Sequence, residues 1–71
     1  MISYKPLRDY LYENEIKISN LASELGISST TATKLNKDVH VSLETIERIC
    51  LHLELPIEQV VKIVESEPTE R

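Results

Sequence analysis

The sequence predicts an all-α fold, a compact bundle of five helices. Apolar residues recur at a spacing close to 3.6 almost throughout the chain, which is the period of an α-helix. One glycine and three prolines favour short connections between the helices. The alternation typical of a strand is confined to Val39-His40-Val41, which is too short to build a sheet.

The length and charge of the chain exclude several classes of protein. Seventy-one residues, 41% of them hydrophobic, suffice for one small core, so we expect a domain over residues 1–66 and a polar tail over residues 67–71. A formal net charge of −4 argues against a protein that coats nucleic acid or membranes through bulk charge. The polar amino terminus, the lack of a long apolar run and the single cysteine predict a cytoplasmic protein without a membrane span.

The first two helices are defined by their start and stop residues. Pro6 fits the first position of helix one, which we expect to end near Asn14, a residue that tolerates left-handed geometry. Gly26 supplies the stop of helix two. Their inward stripes are apolar residues at helical spacing: Leu7, Tyr10 and Leu11 in the first, and Ile18, Leu21, Ala22 and Leu25 in the second.

Three further helices follow. Ser28 and Ser42 are capping residues that open the third and fourth helices, and Pro56 is predicted to start a fifth. The residues expected to face inward are Ala32 and Leu35 in the third, Ile46, Ile49, Cys50 and Leu53 in the fourth, and Ile57, Val60, Val61 and Val64 in the fifth.

Residues 18–35 meet the steric requirements of a helix-turn-helix. Ala22 is small where the next helix crosses close over it, and Gly26 permits the positive φ that a turn of three to four residues needs. The apolar residues that close the wedge between the two helices are Leu21, Leu25, Ile27, Ala32 and Leu35.

This stretch and its surroundings resemble the Cro/repressor type of helix-turn-helix domain, the XRE-like family with a lambda-repressor-like fold. The matching segments are Ile2 to Leu7 with the opening of small bacterial members, Val41 to Ile46 and Ile49-Cys50 with the fourth helix, and Pro56 to Val60 with the fifth. The resemblance covers roughly residues 2–65. It implies a DNA-binding transcriptional regulator, such as a repressor of phage or mobile-element type, whose third helix enters the major groove of a double-stranded operator.

The composition of the third helix favours the same function on independent grounds. From Leu25 to Lys37 there is no acidic residue, and two lysines give the segment a charge of +2. Five Ser or Thr residues stand between Ser28 and Thr33, and each costs a helix roughly 0.5 kcal/mol relative to Ala. Hydroxyl and ammonium groups donate hydrogen bonds to phosphates and to base edges, so this composition is typical of a DNA contact.

Position along the third helix suggests a role for each polar side chain. The residues predicted to read bases are Ser29, Thr30 and Thr33, with Lys34 reaching a guanine. Ser28 and Lys37 are expected at phosphates, together with the amino terminus of the helix. Because the first two exposed turns lack Arg, Gln and Asn, we expect modest base-specific affinity.

The start of the second helix departs from relatives of this kind. They usually begin it with a Thr cap and a Gln or Lys that touches the DNA backbone, whereas Lys17 and Ile18 occupy those positions here. One phosphate contact is therefore expected to be missing, and Lys17 is the candidate for a displaced substitute.

The predicted fifth helix is more apolar than one buried face requires. The residues predicted to form a homodimer interface are Leu55, Val60, Ile63 and Val64. Two-fold symmetry is how helix-turn-helix proteins reach two half-sites about 34 Å apart. The alternative is that Ile2 and Tyr4 cover this surface within one chain.

The other reactive side chains favour structural roles. Cys50 lies on the inward stripe of the fourth helix, which predicts a buried thiol. His40 and His52 have no companions at ligand spacing, and no set of nucleophile, base and orienting group can be assembled. We therefore expect no enzyme, no cofactor and no metal site. Tyr10 is expected in the core and Tyr12 on the surface.

A second function, from a different class, stays open. A protein that keeps this fold can use its acidic surface to bind another protein, such as a repressor or a toxin. Retention of DNA fragments at low salt discriminates between the two functions.

Overall fold

A computed structural model of the chain describes residues 1–65, and residues 66–71, with the predicted polar tail, lie outside the described residues. The elements, in chain order, are β1 (Ile2–Ser3), α1 (Lys5–Glu13), α2 (Ile18–Leu25), α3 (Ser29–Asn36), α4 (Leu43–Leu53), a 3-10 turn (Ile57–Gln59) and β2 (Lys62–Ile63). The four helices predicted before residue 54 are therefore present, together with a two-stranded antiparallel sheet.

Serine side chains begin α3 and α4 as predicted. Ser28 Oγ accepts a hydrogen bond from the Thr31 backbone N–H at 3.2 Å. Ser42 Oγ does the same for the Thr45 N–H at 3.1 Å. Each bond satisfies one of the backbone donors that a helix leaves unpaired at its amino end. The cap residues thus set where both helices start.

Every α-helix ends within two residues of a residue in the left-handed region. Gly26, after α2, has a φ of +69°, as the turn requires. The other three are not glycines: Glu15, Asp38 and Glu54 have φ values of +57°, +59° and +57°. Asn14, the expected left-handed residue after α1, instead has a φ of −100°. Three helix ends therefore carry backbone strain that a glycine would avoid.

The core draws on every helix and on both ends of the described chain. Its fully buried side chains are Tyr4, Leu7, Leu21, Leu35, Ile49 and Val60. Tyr10 and Cys50 are half-buried at the edge of this cluster, and Tyr12 is exposed. Among residues 1–65, no helix is long and apolar enough to cross a membrane.

The predicted fifth helix is wrong. Its residues form the 3-10 turn and then β2, which pairs with β1 in the register Ile2 to Ile63 and Ser3 to Lys62. Met1 and Val64 extend the pairing, each donating a backbone hydrogen bond to the other's carbonyl at 2.8 Å. This segment is rich in β-branched residues, which favour extended backbone when a partner strand is available. The partner lies at the other end of the sequence, so no local pattern reveals it.

The absence of a helix over residues 60–65 changes the predicted homodimer interface. Val60 is fully buried in the core of its own chain and offers no surface to a second copy. Leu55 and Val64 are half-buried, and only Ile63 is largely exposed, at 76%. Ile2 pairs with Ile63 through the backbone, but the Ile63 side chain stays exposed, so the amino terminus does not cover it. The four residues therefore do not form one apolar stripe.

The strain at helix ends yields a stability prediction. Glu54→Gly should raise the free energy of unfolding by about 0.5 to 1 kcal/mol, because Gly adopts a positive φ without the steric cost that Glu bears. Glu47→Gly is the matched control: it also removes one exposed carboxylate, but from the interior of α4, and should cost about 1 kcal/mol. Urea denaturation of both variants measures the difference. Destabilisation of similar size in both would contradict the role assigned to Glu54.

Candidate nucleic-acid interface

Backbone hydrogen bonds and two side chains hold the turn between α2 and α3. The Gly26 N–H reaches the carbonyls of Ala22 and Ser23, and the Ile27 N–H donates to the Ala22 carbonyl at 2.8 Å. The Ile27 side chain packs against the core. From outside the turn, the Arg48 guanidinium of α4 donates to the Leu25 carbonyl at the end of α2. This frame fixes the angle at which α3 leaves α2.

Helix α3 buries only two side chains, Ala32 and Leu35, which are 9% and 1% exposed. The predicted contact residues on this helix and its end are all exposed: Ser29, Thr30, Thr33, Lys34 and Lys37. Ser28 is also exposed, at the amino end. The structure thus gathers six of the seven predicted residues on the outer side of one short helix.

Two hydroxyl groups of this surface already have partners in the free protein. Thr33 Oγ1 donates to the Ser29 carbonyl at 2.9 Å, one turn earlier in α3. Ser28 Oγ donates to Thr31 Oγ1 at 3.2 Å while it accepts from the Thr31 N–H. In this arrangement both hydroxyls keep lone pairs that can accept from a base amino group. Donation by Thr33 to DNA would need rotation of the hydroxyl proton about the Cβ–Oγ1 bond and loss of the bond to Ser29.

Lys17 lies apart from α3, at the N-cap of α2. Its backbone is extended, with φ of −83° and ψ of 141°, and its side chain makes no capping hydrogen bond. The side chain is exposed, whereas Ile18 is half-buried against the core. The position after the cap therefore presents an apolar side chain, and Lys17 is the cation at this helix start.

One acidic residue lies at each end of the acid-free segment, and each has a side-chain partner. Glu24 Oε1 lies 2.8 Å from His52 Nε2 of α4. Asp38 Oδ1 lies 2.8 Å from an Arg8 guanidinium nitrogen. Both carboxylates therefore have a hydrogen-bonding partner, and the Arg8 guanidinium also offsets the charge of Asp38.

Asp38 is also the centre of a network that holds the carboxyl end of α3. Its Oδ1 accepts from the Tyr4 backbone N–H at 2.8 Å, and Arg8 donates in addition to the Leu35 carbonyl at 3.1 Å. The Tyr4 hydroxyl donates to the Val39 carbonyl at 2.9 Å and accepts from the Val41 N–H of the same loop at 3.2 Å. The Arg8 guanidinium and the Tyr4 N–H hold the pKa of Asp38 below its usual value. Burial raises the pKa of Tyr4.

Sequence reasoning missed this network. Arg8 and Asp38 stand 30 positions apart, and neither belongs to a local motif. The one available signal is that Asp38 directly follows the acid-free segment, where an unpaired carboxylate would repel DNA. Arg48 was missed for the same reason, since its partner is a backbone carbonyl 23 positions away.

Residues 1–65 contain no group of three or more His, Cys, Asp or Glu side chains arranged to hold a metal ion. Burial, and secondly the Glu58 carboxylate, raise the pKa of the Cys50 thiol. The protonated thiol is therefore favoured, as in a structural cysteine.

The turn geometry, the small buried side of α3 and its exposed hydroxyl and ammonium groups define a helix-turn-helix DNA-binding domain. The chain belongs to the Cro/C1-type helix-turn-helix DNA-binding domain family, whose sequence model matches residues 6–66. This membership confirms the resemblance noted from the sequence.

Comparison with solved structures supports the same fold. The crystal structure of the transcriptional regulator VanUg, Form II, superimposes with a TM-score of 0.86 at 28% sequence identity. The match covers 92% of this chain and 87% of that one. No curated protein matches the chain at a significant level.

The Asp38 network predicts a defined pH dependence. Because the pKa of Asp38 is lowered on folding, its contribution to stability is present above the pKa of the unfolded chain and is lost as pH falls through the folded value. Asp38→Asn keeps the shape and tolerates a positive φ, but cannot ionise. The free energy of unfolding should thus be lower for the variant at neutral pH, and the gap should close below about pH 4.

Urea denaturation at several pH values measures this gap. Asp9→Asn is the control, since Asp9 pairs with Lys5 on the exposed side of α1 and should change stability little. A gap that persists unchanged at low pH would show that the Asp38 charge is not what stabilises the fold.

Proposed function

We propose that the protein is a small sequence-specific transcriptional regulator of the cytoplasm that places α3 in the major groove of operator DNA. The observation that carries this proposal is the exposed side of α3. It has hydroxyl and ammonium groups but no acid, and the carboxylates at its two borders are held by His52 and Arg8. A helix of eight residues with only two buried side chains has most of its surface available for contact.

The proposed contacts to bases and to phosphates come from different positions along α3. Ser29, Thr30 and Thr33 read base edges, and Lys34 reaches a guanine. Phosphates are bound by Ser28, Lys37 and Lys17, with the amino terminus of α3 adding backbone N–H groups and the positive end of its dipole. Phosphate contacts fix the orientation of the protein, and the base contacts select the sequence.

Repression is the mode of regulation that needs the fewest contacts. A domain bound over a promoter excludes other proteins from it, as expected for a regulator of phage or mobile-element type. Two copies on a symmetric operator would double the phosphate contacts, which supports a homodimer because one copy offers few cations. Val60 is buried in its own chain, so it would not contribute to the contact surface between the two copies.

The alternative function is a protein-interaction module that keeps the fold and binds a repressor or toxin. The net charge of −4 favours it, because the charge of the whole chain opposes approach to DNA.

Selection of genomic fragments on the immobilised protein, followed by titration at two salt concentrations, tests the main proposal. We expect fragments to be retained at low salt, with a log–log slope of about −0.9 for each phosphate neutralised. Saturation should require two copies for each operator. Retention of no fragment at low salt would favour the protein-interaction module, and saturation by one copy would contradict the homodimer.

Two substitutions test the division of contacts. Thr33→Ala should relax sequence preference, whereas Lys37→Ala should weaken binding to all sequences and reduce the salt slope by about 1. Lys62→Ala is the matched control, because Lys62 is an exposed lysine of β2 outside the proposed interface. Affinities for a selected operator and a scrambled duplex measure both effects. Equal losses on the two duplexes for Thr33→Ala and Lys37→Ala would contradict the assigned roles.

A further inference from the structure

An apolar groove lies between α4 and the carboxyl-terminal segment, and none of its residues belongs to α2 or α3. We call it the α4 groove. Its main apolar residues are Leu43, Ile46, Leu51, Ile57, Val61 and Ile63. The part beside the carboxyl-terminal segment has a volume of about 390 Å³, and a second hollow of about 520 Å³ adjoins it across Leu43, Ile46 and Ile57.

The groove leaves large apolar side chains in water. Leu43, Leu51 and Ile63 are each more than 70% exposed, and Ile57 is 51% exposed. Single exposed apolar residues are common on proteins, but a contiguous set beside a hollow marks a binding surface. The six residues that follow Glu65 are Ser, Glu, Pro, Thr, Glu and Arg, so they contain no large apolar side chain that could fill the groove.

Charged side chains at the groove edge restrict the occupant. Glu44, Glu47 and Glu58 line it together with Lys62, which leaves a local charge of −2. A second copy would bring the same excess of carboxylates against these three. An occupant of opposite charge gains instead from both the apolar surface and the rim.

We propose that the α4 groove binds an amphipathic helix of a different protein, one with an apolar stripe flanked by Lys or Arg. Leu43 and Leu51 are two turns apart on α4, about 12 Å, which matches anchors at i, i+3 or i+4 and i+7 of a bound helix. The proposal does not depend on DNA binding, because the groove and the exposed side of α3 share no residue.

The probe is a pair of synthetic helical peptides of about fourteen residues, or four turns. Both carry the same leucine stripe, flanked by lysines in one and by glutamates in the other. Fluorescence anisotropy with the full chain should show binding of the lysine peptide and at least about tenfold weaker binding of the glutamate peptide. The difference should shrink between about 0.1 M and 1 M salt, where the Debye length falls from about 10 Å to 3 Å.

Substitutions locate the site. Leu51→Ser should weaken binding of the lysine peptide by about tenfold, whereas Tyr12→Ser, at the 85% exposed tyrosine of α1, should leave it unchanged. Both positions are exposed, so both variants should fold, which circular dichroism checks. Glu47→Lys combined with Glu58→Lys should remove the preference for the lysine peptide.

Three results would overturn the proposal. They are equal affinity for the two peptides, equal losses in Leu51→Ser and Tyr12→Ser, and sedimentation of the wild type as a dimer that Leu51→Ser dissociates. The last result would assign the groove to a second copy of the chain.

Discussion

The carboxylate of Asp38 makes the contact on which the position of α3 depends, because it ties the loop after α3 to Tyr4 and Arg8. It accepts hydrogen bonds from the Tyr4 backbone and from Arg8, and Arg8 also reaches the last turn of α3. These bonds join the amino-terminal segment to α3 and the loop after it, across 27 to 34 positions of sequence. They explain why Asp38 keeps a positive φ despite its steric cost, since the network compensates the local strain. The orientation of the exposed side of α3 is set by this contact at its carboxyl end and by the turn at Gly26 at its amino end.

The charge near each surface of this protein differs from the net charge of the whole chain. The net charge is −4, yet the acids nearest α3 have partners on α1 and α4. Three further acids, Glu44, Glu47 and Glu58, line the edge of the α4 groove, which shares no residue with α3. Each charged group acts chiefly within about a Debye length, which is about 10 Å at moderate salt. One small domain can therefore present a cationic helix and an acidic apolar groove at the same time.

In the carboxyl-terminal segment, hydrophobic spacing alone predicted the wrong secondary structure. Ile57, Val60, Val61 and Val64 follow the helical period, but Val60 reaches the core from the end of a 3-10 turn and residues 62–63 pair with β1. A short β-branched segment is compatible with helix and strand, and the partner decides between them. The same pairing positions Ile63 at the edge of the groove.

The sequence by itself determined the four helices, the serine caps, the left-handed turn at Gly26 and the exposed face of α3. These features depend on residues within a few positions of one another, where capping and hydrophobic period act. Only the tertiary structure decided the β1–β2 pairing, the Asp38 network, the burial of Val60 and the α4 groove. Each of these joins residues far apart in the chain, and their contacts depend on how the helices pack rather than on any local preference.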